Sequence, residues 1–74
     1  MNDERLWYAF SKIVEESISN SAIRNKILRD VRAHLDSNAS FPAKGILATI
    51  SEHKDMQASE ESANLIKEIF YYYG

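Results

Sequence analysis

Apolar positions along the 74 residues return at steps of three and four, and only two glycines and one proline interrupt them. That spacing predicts helices, each with one apolar face. The first runs from about Asp3 to Ser19: at 100° per residue Leu6, Trp7, Phe10, Ile13, Val14 and Ile18 share one arc. Asn2 or Asp3 stands as its cap, and Glu4 is set favourably against the helix dipole. Ser19-Asn20-Ser21 is a run of capping residues, so a second helix begins near Ala22, burying Ile23, Ile27, Leu28, Val31 and Leu35. A polar turn follows over residues 36–40. Ser40-Phe41-Pro42 then reads as a cap with proline in the first turn of a third helix, where its missing N–H costs nothing. This helix reaches Lys54 or Asp55 and buries Ala43, Ile46, Leu47 and Ile50. Ser59-Glu60-Glu61 places a cap and two acids ahead of a fourth helix, with Gly74 as its stop.

The last helix differs from the others in the width of its apolar face. Ala63, Leu65, Ile66, Ile69, Phe70, Tyr72 and Tyr73 spread over about half its circumference, against the roughly 100° stripe of an ordinary surface helix. Such a helix is either central or shared with another chain. Short connections favour packing between neighbours, so the expected fold is all-α, a compact four-short-helix bundle in a single domain over residues 1–74. The alternative is an open pair of helical hairpins that closes only as a dimer.

Composition bears on that choice. A chain this short buries only about 60% of the surface its unfolded form exposes, and the usual staples are disulfides, a metal or oligomerisation. With no cysteine and two histidines, oligomerisation is the staple that remains, and a homodimer is expected. The absence of cysteine fits a reducing compartment. Met1 to Arg5 opens with mixed charge rather than a signal sequence, and no apolar run approaches the roughly 20 residues of a membrane span. The protein is therefore expected to be soluble and cytoplasmic, without a membrane partner. Asn38-Ala39-Ser40 matches a glycosylation sequon, which without a secretory signal is read as chance.

Few groupings suit catalysis. Nucleophilic chemistry needs an activated side chain beside an oriented base; the near-neutral bases are His34, within the apolar arc of the second helix, and His53, at the edge of that of the third. Both read as boundary residues. Asp30 and His34 make only two ligands where a metal site needs three or four, and Gly45 and Gly74 form no phosphate loop. Glu15-Glu16 and Glu60-Glu61 are neighbours in sequence, which on a helix points each pair about 100° apart, so they read as solvated charge. No enzyme activity, cofactor or metal is expected.

Binding surfaces are what the pattern leaves. Net charge is −2, so any electrostatic preference is local. Residues 1–20 hold four acids against two bases and residues 59–74 three against one; if the terminal helices lie side by side, Glu15, Glu16, Glu60, Glu61 and Glu68 form an acidic surface for a basic partner. The second helix carries Lys26, Arg29 and Arg32 on its outward side, a face able to sit on phosphates. Acids from the terminal helices have charge enough to neutralise it. Tyr8 points away from the core arc of the first helix, and tyrosine brings contact area and a hydroxyl at low entropic cost. The strongest candidate for a partner or dimer interface is Tyr8 with Leu65, Ile69, Phe70, Tyr71, Tyr72 and Tyr73. Alternatively the tyrosines cover the end of the bundle. Gly45, Ala48 and Thr49 add a small-residue face on the third helix, suited to close approach of another helix.

A very short, cysteine-free helical chain without a catalytic motif is similar in build to small regulators, to antitoxin-like or anti-host proteins of phages and plasmids, and to structural adaptors. The expected function is a non-enzymatic regulator or inhibitor that occludes a larger protein through a helical, acidic and tyrosine-rich surface. The alternative is a nucleic-acid-binding regulator using the basic face of the second helix.

Overall fold

A computed structural model describes residues 1–37 and 39–73. Helices α1 (Asp3–Ser17), α2 (Ser21–Leu35), α3 (Ala43–His53) and α4 (Glu60–Tyr73) follow in the predicted order. Asn38 of the sequon and the stop expected at Gly74 lie outside the described residues. α1 packs between α2 and α4, and α3 closes against α2 and α4 from the other side. The Cα radius of gyration, 11.3 Å, matches the scaling for one compact domain of this length. The four helices therefore close around a shared core within one chain, unlike the open hairpin pair.

The caps follow the local rules. The Asn2 side chain accepts the Arg5 N–H at 2.8 Å and that of Asn20 accepts the Ile23 N–H at 3.0 Å, each satisfying an orphan donor of a first turn. The Ser59 hydroxyl oxygen accepts the Ser62 N–H at the head of α4. The third start departs from expectation. Pro42 is the cap of α3 and not part of its first turn: at φ −83°, ψ 62° it centres an inverse γ-turn, in which the Ala43 N–H bonds the Phe41 carbonyl at 2.9 Å.

α1 ends two residues before the predicted Ser19, and tertiary bonds explain it. Ile18 is extended, while the Ser17 carbonyl takes the N–H groups of Asp55 and Met56 at 2.9 and 3.0 Å. The Ile18 and Ser19 carbonyls accept the Arg24 guanidinium at 2.9 and 2.7 Å. The Asp55 carboxylate in turn takes the Ser19 N–H and hydroxyl. One knot thus ties the α1–α2 turn to the α3–α4 linker. These donors hold the Asp55 carboxyl below its usual range, the Ser19 hydroxyl contributing most.

Leu6, Phe10, Ile13 and Val14 of α1 and Ile18 at its C-cap are buried with Ile27, Val31, Ala43, Ile46, Leu47, Ile50, Leu65 and Ile69, as the wheels predict. Ala9 joins them. Trp7, Ile23, Leu28, Leu35 and Ile66 pack on the rim of this core. Phe41 comes in from the turn before α3 to close the end, with its ring centroid 5.6 Å from Phe10 and 6.0 Å from Tyr73. No helix of the described chain is long and apolar enough to cross a membrane.

Candidate functional site

The wide apolar face of α4 resolves into two parts. Leu65 and Ile69, expected at an interface, are buried in the chain's own core, because α4 turns that stripe onto α1. Tyr73 is half-buried against Phe41, so it covers the bundle end. Ala63, placed on the apolar face, is exposed. What stays outside is an aromatic band: Phe70 is 48% exposed, Tyr71 80% and Tyr72 57%. The Tyr71 and Tyr72 rings meet edge to face with centroids 5.0 Å apart, an arrangement favoured by aromatic quadrupoles.

Tyr8 is exposed as expected, yet its hydroxyl is already engaged, donating to the Glu61 carboxylate across the α1–α4 seam. That seam consumes most of the predicted acidic surface. Arg5 forks onto Glu68 at 2.9 and 3.1 Å, and Lys12 bridges Glu16 at 3.1 Å and Glu61 at 3.4 Å. Hydrogen bonding from Tyr8 and Lys12 lowers the Glu61 carboxyl, and Arg5 lowers that of Glu68.

Glu16 departs furthest from solvated charge. One of its oxygens accepts the Ser59 hydroxyl at 2.6 Å, the Ser59 N–H at 3.0 Å and the hydroxyl of buried Ser62 at 2.6 Å. With the Ser59 hydroxyl as the largest cause, its carboxyl is lowered to about 2. Glu15 and Glu60 are exposed and join no ion pair among the described residues.

On α2, Lys26, Arg29 and Arg32 are exposed and, among the described residues, none is ion-paired. The neutralising acids of α1 and α4 pair instead with Arg5 and Lys12. Arg32 lies over the Trp7 ring, 4.2 Å from its centroid, a cation–π contact. Trp7, Asn25, Leu28, Arg29 and Arg32 line a broad, open concavity. His34, expected within the apolar arc of α2, is exposed, its ring edge-on to Phe41 at 6.3 Å. His53 is also exposed. Among the described residues, no group of three or more His, Cys, Asp or Glu side chains comes together.

A further feature escaped the periodicity. Between α3 and α4 lies an apolar groove of about 260 Å³, with Ile13 and Ile50 at its floor and Ile66 and Phe70 on the α4 side. Along α3 its wall is formed by Lys44, Leu47, Ala48, Ser51 and Lys54. These positions recur at helical steps beside the core stripe, a signal present in the sequence but masked by their mixed polarity. Gly45 and Thr49 face elsewhere, and a Cβ at Gly45 would meet nothing within 4 Å; this chain supplies no close helix there. No family model, no curated protein and no solved structure matches this chain.

Proposed function

We propose that this protein is a non-enzymatic regulator that binds a larger protein through the aromatic C-terminal end of α4 and acts by steric occlusion. The observation that supports this is the exposed band Phe70-Tyr71-Tyr72 on a chain whose core closes without it. Interfaces are built around a few such aromatic anchors. Of the acids, Glu15 and Glu60 stay exposed and, among the described residues, unpaired toward the start of α4, away from this band, while Glu16, Glu61 and Glu68 are engaged by partners within the chain. Homodimerisation belongs to the same proposal, and so does action in the cytoplasm, in keeping with the absence of cysteine.

The test is capture of host proteins on the full chain and on a Tyr71→Ala/Tyr72→Ala variant of unchanged melting temperature. A specific partner whose binding weakens by tenfold or more in the variant is expected. Equal capture by both chains sinks the proposal. Light scattering on the same pair reads the oligomeric state, with a dimer expected for the parent chain.

A second reading is favoured by Arg29 and Arg32 lining one concavity with Trp7 and Asn25: binding of nucleic acid along α2. Phosphate contacts weaken steeply with salt. DNA or RNA that shifts at low ionic strength and is released by salt, with Arg29→Ala reducing the shift, supports this reading; no shift at low salt rejects it.

A further inference from the structure

We infer that the groove between α3 and α4 is a docking site for an acidic amphipathic helix of the partner protein; this rests on the protein-binding reading above and names what is bound. The groove is a trough and not an enclosure: about 260 Å³ falls below the roughly 300–1,000 Å³ of pockets that engulf a small molecule. It suits a row of side chains delivered by a surface. Its length fits a helix. Lys44 and Lys54 stand at its two ends, about 15 Å apart along α3 at 1.5 Å per residue, close to three helical turns. Between them Ala48 and Ser51 keep the wall low, which lets a second backbone come near the 8–10 Å typical of packed helices.

Charge selects the occupant. Among the described residues, Lys44 and Lys54 make no ion pair and no acid lines the groove. On the wheel of α4, Lys67 and Glu60 share the outer side beyond Phe70, outside the groove lining, whereas Glu61 and Glu68 fall on the opposite flank, where they bond Tyr8, Lys12 and Arg5. Asp55, next to Lys54 in sequence, is held by Ser19. The groove thus has an apolar floor between lysines, with Glu52 and Glu60 exposed outside its lining. A helix with an apolar stripe at i, i+4 and i+7 and acids on its flanks is complementary to both.

The probe is a stapled, fluorescein-labelled peptide of about four turns, with leucines at i, i+4 and i+7 and two flanking glutamates about ten residues apart. A twin carries lysines in place of the glutamates. Fluorescence polarisation with the full chain is expected to show saturable binding of the acidic peptide, at least about tenfold tighter than its twin. Lys44→Glu/Lys54→Glu, both at exposed positions, is expected to reverse that preference, and Ala48→Trp to abolish binding by filling the trough. Equal affinity for the two peptides, or a preference unmoved by the charge reversal, overturns the inference. So does a dimer by light scattering that Ala48→Trp dissolves, since a second copy then fills the groove. Failure of the underlying reading looks different: host-protein capture indifferent to the Tyr71/Tyr72 and the groove variants alike, whatever the peptides do.

Discussion

Glu16 on α1 and Ser59 at the head of α4 are joined by two hydrogen bonds to one carboxylate oxygen, from the Ser59 hydroxyl at 2.6 Å and its N–H at 3.0 Å. Ser59 also accepts the Ser62 N–H, so a single serine caps its own helix while anchoring it to another. The α1–α4 seam is therefore held by a directed polar contact as well as by Ile13, Leu65 and Ile69.

That contact has a pH signature. The Glu16 carboxyl lies at about 2 in the fold against 4.5 in the free side chain, a depressed value. Its contribution is present in full above about pH 4.5 and is lost as pH falls through about 2. Glu16→Gln is expected to melt below the parent chain at pH 7, with the gap closing as both are acidified across that window. Melts followed by circular dichroism check this; a constant gap down to pH 2 contradicts the assignment.

Core and band are expected to respond oppositely to truncation. Phe10 is fully buried and packed on Phe41, so Phe10→Ala should cost about 3–5 kcal/mol, enough to unfold much of a chain this small. Tyr71, 80% exposed, should change stability by less than about 0.5 kcal/mol on mutation to alanine. Urea unfolding measures both, and a large loss for Tyr71→Ala assigns it a structural role.

The Asn20 cap should be worth about 1 kcal/mol to α2, the usual cost of replacing such a residue with alanine. Its side chain takes the Ile23 N–H, and the adjoining Ser19 is clasped by Asp55 and Arg24. Hydrogen exchange should show faster opening at Ile23 in Asn20→Ala, without change at Ile46 in α3. Unchanged protection at Ile23 argues against the cap.

Gly45→Ala is expected to stabilise α3 by up to about 1 kcal/mol, the helix-propensity difference, because the added methyl meets no atom within 4 Å. The sign is informative. A loss of stability that grows with protein concentration means that a second copy approaches this face in solution. Thermal melts at two concentrations separate the outcomes.

The helices, their order and most of their core faces were legible in the chain itself. Ile13, Ile46 and Ile69 occupy core positions because apolar spacing and helix pitch agree. The Asn20 and Ser59 caps were legible because a cap bonds within three residues of itself. Where the reading failed, bonds outside the pattern of helical spacing won. α1 stops before Ser19 because Asp55, Met56 and Arg24 claim its last carbonyls, and Pro42 leaves the helix for a γ-turn that sends Phe41 inward.

Sequence alone thus determined four amphipathic helices and a set of polar and aromatic residues outside the core, since those properties rest on steps of three and four residues. Only the tertiary structure decided which of the outer residues were already taken. Glu16, Glu61 and Glu68 meet partners 43 to 63 residues away, and Leu65 and Ile69 face α1 rather than another molecule. The groove, too, exists only where residues of α1, α3 and α4 come together around Ile13 and Ile50, which spacing along the chain does not encode. The surface left for binding is what those long-range contacts do not use.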